Sequence, residues 1–162
     1  MKRMFGVLFC LGLALTANAE EKLRVIDLAP DAPASAEAAE RGRKYTKAQE
    51  AAAKITPDEA MQFMQRLSET VDQGHAQAKS GSMDGRAIRN QAIALNRLED
   101  EGERYRVMFA RFKSCGDASS NAAFSWQGLI GSNTAQLVEY HQKYIAAVTE
   151  CVQAAQLAAS KG

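Results

Sequence analysis

The sequence predicts an all-α fold: an up-and-down helical bundle of three long helices and one short helix, with an Ala-rich N-terminal helix outside the bundle or completing it. Three observations predict it. Apolar residues recur at spacings of three and four over long stretches. Capping residues punctuate those stretches. Strand-like alternation of useful length does not occur in the sequence. Composition agrees, since 46% hydrophobic, 24% charged and three prolines in 162 residues describe a foldable chain, and neither a disordered one nor a β-sandwich. No unit of ~20–50 residues repeats.

Residues 1–19 read as a cleaved secretory signal. Lys2 and Arg3 precede an uncharged run from Phe5 to Leu15, and Ala17-Asn18-Ala19 supplies the small residues of a cleavage site before Glu20. The apolar run is shorter than the ~20 residues that a membrane span needs. Cleavage after Ala19 predicts a periplasmic location. It removes two basic residues and no acid, so 20 basic residues become 18 against 19 acidic, and the balance moves from +1 to −1. Such a balance offers no field for nucleic acid or an anionic membrane. Cleavage also removes Cys10 and leaves Cys115 and Cys151, which in an oxidising compartment predict one disulfide. On the chain-entropy model, a loop of ~37 residues contributes roughly 4 kcal/mol.

Residues 20–35, with Pro30 and Pro33, read as an extended leader ahead of a helical domain over 36–160. From Ala34 to Lys54 the residues are good helix formers, but Tyr45 is nearly the only large apolar one, so this helix should pack weakly or await a partner. Thr56-Pro57-Asp58-Glu59 is a capping box with proline at the first helical position, and predicts a helix over 57–79. Its apolar face is Ala60, Phe63, Met64, Leu67, Val71 and Ala78. After the turn at Ser80–Gly85, a heptad-like stripe of Ile88, Gln91, Leu95, Leu98, Gly102, Tyr105, Phe109 and Phe112 predicts a third helix from about 84 to 113. Ser114–Asp117 should end it and cap a short helix over 118–130 that carries Trp126, with Gly131 as its left-handed stop. Asn133 and Gln136 then cap a last helix over 134–159.

Candidate functional residues are few. Arg41, Arg43, Lys44 and Tyr45 form one basic patch with an aromatic on the weakly packing first helix. Gly102 notches the third helix, either for a close helix approach, for a bulky side chain such as Trp126, or as a small pocket. These residues are the expected contact surface for a partner. His75 follows Gly74 late in the second helix, where a cation favours the helix dipole. Asp72-x-x-His75 matches half of a di-iron carboxylate motif, but Val138 stands where the copy before His141 would need its carboxylate. His141 lies on the stripe of the last helix, and with Met64 or Met108 opposite could serve as an axial pair for haem or hold a metal. Otherwise the methionines are core filler. Glu99–Glu103, flanked by Arg97, Arg104 and Arg106, reads as a solvated helix face. None of the common hydrolase, phosphate-loop, zinc-protease or dinucleotide motifs occurs.

The sequence therefore predicts an exported, non-enzymatic helical protein without a cofactor. It would act by binding another envelope protein, as an inhibitor, an immunity factor or an assembly accessory. The alternative is a bundle that binds haem, a metal or a small ligand.

Overall fold

The computed structural model describes residues 35–161. The segment read as a signal over 1–19, including Cys10, and the segment read as a leader over 20–35, apart from Ser35, lie outside the described residues. Among the described residues the chain forms five α-helices and no strand: α1 Ala36–Ala53, α2 Pro57–Lys79, α3 Gly85–Gly102, α4 Lys113–Ile130 and α5 Thr134–Ala159. No helix of these is long and apolar enough to cross a membrane.

Side-chain caps set four of the five starts. The Ser35 hydroxyl accepts from the Ala38 N–H at 3.1 Å. The Thr56 hydroxyl accepts from the Glu59 N–H at 3.2 Å, and the Glu59 carboxylate accepts from the Thr56 N–H at 2.8 Å. These bonds from Thr56 hold the Glu59 carboxyl below its ordinary pKa. The Asp84 carboxylate accepts from the N–H groups of Arg86 and Ala87. Asn133 Oδ1 accepts from the Gln136 N–H at 3.1 Å. α4 has no such cap, since Phe112 stands at its N-cap position.

The third helix is shorter than its stripe predicts. α3 stops at Gly102, and residues 103–112 turn back before α4 begins at Lys113. Two local features oppose a longer helix. Gly102 is a poor helix former, and Glu99, Asp100, Glu101 and Glu103 crowd the helix C-terminus, where negative charge is disfavoured and the last turn itself carries no basic residue. The turn carries Tyr105 into the core, where it is fully buried and stacks on Phe63 with ring centres 4.8 Å apart. The Tyr105 hydroxyl accepts from Arg104 at 2.7 Å. Phe112 is buried, but Phe109 points into solvent. Ser114–Asp117 therefore lies within the first turns of α4 and does not end α3, and α4 is as long as α3. At its other end, Gly131 has φ −82°, and Ser132 takes the left-handed position with φ 55°. The Asn133 N–H closes this terminus on the Gly128 carbonyl at 2.9 Å.

Successive helices from α2 onward run antiparallel, as paired contacts show. Gln91 of α3 donates to the Thr70 carbonyl of α2 at 2.7 Å, and Arg66 pairs with Glu101 at 2.5 Å. Ser120 of α4 donates to Glu99 of α3 at 2.9 Å. Cys115 near the start of α4 is joined to Cys151 late in α5, with Cα atoms 4.9 Å apart and both residues fully buried. α4 is the central helix, packing on α2, α3 and most extensively on α5. Its buried residues are mainly small: Gly116, Ala118, Ser119, Ser120, Ala122, Ala123, Ser125 and Gly128. Small side chains let one helix meet several neighbours closely. α1 pairs with none of the other described helices, and only Ala52 of its residues is buried.

Glycines make the closest approaches. A Cβ on Gly116 would lie 2.5 Å from the Gly102 carbonyl oxygen and 3.1 Å from the Arg106 nitrogen, both backbone atoms. A Cβ on Gly102 would overlap Ser119 Oγ, a movable side-chain atom. Gly116→Ala should therefore destabilise by ~3 kcal/mol and Gly102→Ala by less, ~1–2 kcal/mol. Removing the hydroxyl in Gly102→Ala/Ser119→Ala should recover part of the smaller loss but none of the larger one in Gly116→Ala/Ser119→Ala. Urea denaturation midpoints of the four variants check this order.

Candidate functional site

The structure separates the sequence-predicted contact residues. Gly102 is buried against Gly116 and Ser119 of α4, so the notch is a close helix crossing and holds no open pocket. Trp126 is buried in the core and does not fill that notch. Neither residue offers surface to a partner. On α1 the basic patch is exposed but internally matched, with Arg41 on Glu37 at 2.5 Å, Arg43 on Glu40 at 2.8 Å and Lys44 on Glu40 at 3.5 Å. Exposed pairs of this kind contribute little to stability, and they leave the patch without a strong positive field.

Tyr45 does reach a surface of interest. Its hydroxyl accepts from Gln49 at 2.6 Å, and Gln49 also donates to the Met108 carbonyl. The Gln49–Met108 bond ties α1 to the 103–112 segment. There Met108 is 58% exposed and Phe109 is 89% exposed. Phe109 has φ 64°, a left-handed backbone that a bulky residue rarely adopts. The segment itself is fixed at its base. Arg106 reaches Glu103 at 2.7 Å, Ser120 at 3.0 Å and Asp117 at 3.7 Å. Glu101 reaches Arg66 of α2 at 2.5 Å and Arg104 at 3.9 Å. The acidic run is thus part of the α2–α3–α4 junction as well as a solvated face.

A second site joins residues that the sequence left apart. His75 of α2 and His141 of α5 face each other with ring centres 5.2 Å apart and planes inclined by 58°. They share a groove of about 470 Å³ with Ala78, Lys79, Leu129, Leu137, Val138 and Gln142. Two helices bring them together in register. Tyr144, one turn beyond His141, has its hydroxyl 3.3 Å from Ser68 Oγ on α2. His141 Nδ1 is buried and has no hydrogen-bond partner among the described residues. Met64 and Met108 do not join this site. Met64 is a core residue beside Val148 and Val152, and Met108 is on the exposed turn. The His–Met axial pair of the alternative haem reading is therefore not assembled. Among the described residues no three His, Cys, Asp or Glu side chains converge as a metal cage.

Two features escaped sequence reasoning. The helical stripe assigned Phe109 to the core, and a turn after Gly102 was needed to expose it. The pairing of the two histidines depends on how α2 and α5 align. The spacing of Ser68 and His75 by seven on α2 was the signal available for a shared face. Compared with known proteins, the chain matches no family model, no curated protein and no solved structure.

Burial, then the neighbouring His141, push the His75 pKa below its ordinary value of 6.5, with Asp72 pulling the other way and Lys79 adding to the lowering. The folded chain thus binds a proton at His75 less readily than the unfolded chain does. The sign follows: stability is complete above the unfolded value of about 6.5 and falls as pH drops through it. His75→Gln should flatten this decline. Urea midpoints between pH 8 and pH 5 for both proteins measure the difference.

Proposed function

We propose that the chain is an exported, non-enzymatic helical protein that acts by binding another protein of the cell envelope, as an inhibitor, an immunity factor or an assembly accessory. The contact surface is the 103–112 turn together with the adjoining half of α1. Phe109 carries the reading. Burying a phenylalanine is worth ~1.5–3 kcal/mol, yet this one stands 89% exposed on a left-handed backbone. Strain of that kind persists where the surrounding structure enforces it, and clusters at functional positions. Met108 next to it is exposed as well, and Gln49 of α1, which bonds the Met108 carbonyl, brings the face that carries the exposed Tyr45 toward the same turn. Aromatic anchors within a polar rim are the usual energetic centres of protein interfaces.

The remaining features support the same reading. Cys115 and Cys151 are joined, so neither supplies a thiol nucleophile. A buried disulfide suits a chain that leaves the cytoplasm through the signal over 1–19. The exported protein should begin at Glu20 and carry both of these cysteines oxidised, as intact-mass analysis of the secreted form would reveal. Reduced thiols or an unprocessed start would remove export from the proposal.

Phe109→Ala should abolish co-purification of one stoichiometric envelope protein while leaving the thermal midpoint unchanged or higher. Phe109→Gly should do the same and raise stability by ~1 kcal/mol, because glycine adopts φ 64° without strain. A photo-reactive residue at position 109 should cross-link that same protein. Retention of the partner by both variants would refute this surface.

A further inference from the structure

We propose that His75 and His141 form a two-imidazole site for a late first-row divalent cation, of the Zn²⁺ or Cu²⁺ type, between α2 and α5. The distance is the first argument. Two imidazoles bound at about 2.0–2.1 Å to one tetrahedral ion place their ring centres about 3.2 Å from it and hence roughly 5 Å apart. The observed separation is 5.2 Å. Planes inclined by 58° at this distance also fit an edge-to-face ring contact, so the case for an ion rests on a second observation as well.

The second argument is independent of that distance. His141 Nδ1 is buried with no partner among the described residues. A buried polar nitrogen left unmatched costs ~1–3 kcal/mol, and each such group calls for an explanation. A metal ion satisfies an imidazole nitrogen as a hydrogen bond would. Imidazole is the protein ligand common to zinc and copper.

The setting fits a site with open positions. The groove is exposed on one side, so water can complete the coordination, and Leu129, Leu137 and Val138 line it as an apolar wall. Apolar walls of this kind control solvent access to metal sites. Asp72, one turn before His75, contributes negative charge, whereas the Lys79 ammonium opposes a cation. Lys79 is exposed and its stem is flexible, so its charge can move into solvent. With only two protein ligands the affinity is modest. Cu²⁺ should bind more tightly than Zn²⁺.

The test uses the untagged full chain at neutral pH. Calorimetric titration with Zn²⁺ alone and with Cu²⁺ alone should give one ion per chain. Zinc should shift the imidazole proton resonances of both histidines together, and copper should broaden both. His75→Gln and His141→Gln, each checked for helical content by circular dichroism, should each weaken binding by at least ~10-fold, since even outer partners of metal ligands are worth 10–100-fold. The resonance readout needs no variant and stands if either variant fails to fold. Absence of binding, a shift of only one histidine, or unchanged affinity in a folded variant would overturn the site. None of these results bears on the Phe109 surface, which uses no residue of this groove.

Discussion

Two adjacent residues at the start of α4 hold the architecture. Gly116 lets the backbone of α4 approach Gly102 so closely that a single methyl group would meet the carbonyl oxygen at 2.5 Å. Cys115, beside it, is bonded to Cys151 of α5. α4 is thus pinned toward α3 on one side and α5 on the other within its first turn. Small residues along the rest of its length allow it to remain central. Large apolar side chains from its neighbours, such as Phe63, Leu67, Leu95 and Tyr144, supply much of the buried surface that α4 itself lacks.

This pinning dictates what happens between α3 and α4. Gly102 ends one helix, and Gly116 must lie against it after a chain reversal. Only residues 103–112 are available for the return. A reversal this short cannot keep every apolar side chain on one face. Tyr105 turns inward and stacks on Phe63, while Phe109 is left outside on a left-handed backbone. The exposure of Phe109 is thus a consequence of where α4 is held. Arg106, bonded to Glu103 and Ser120, keeps the turn from relaxing toward a longer helix.

The parts of the fold legible in the sequence were those set by local chemistry. Thr56-Pro57 and Asn133 fix where α2 and α5 begin because a hydroxyl or amide can meet free backbone N–H groups a few residues on. The disulfide was legible because only two cysteines follow residue 19. α3 was overextended because Tyr105 and Phe112 do fall at stripe spacing and are buried, though by a turn. Periodicity reports burial before it reports helix, and here the two diverge at Gly102. α4 lacks a capping side chain, and small residues cover its buried surface, so neither its start nor its central place left a strong pattern. The candidate sites were less legible still. Gly102 was rightly singled out as a possible close approach, but that same closeness removes it from any partner surface. Tyr45 is linked through Gln49 to Met108, which lies far along the chain.

The two sites lie toward opposite ends of the antiparallel pair α2 and α5. Tyr105, at the base of the exposed turn, has its hydroxyl 3.4 Å from the Glu59 carbonyl near the start of α2, and Arg111 lies beside Leu157 near the end of α5. His75 and His141 sit late in α2 and early in α5. Sixteen residues of helix separate Glu59 from His75, about 24 Å at 1.5 Å per residue. Direct electrostatic influence across such a span is largely screened in salt. Coupling between a cation at one end and a protein at the other would need α2 and α5 to shift as a pair, and Cys151 anchors α5 to the pinned turn of α4. The disulfide therefore favours two sites that act independently on one rigid frame.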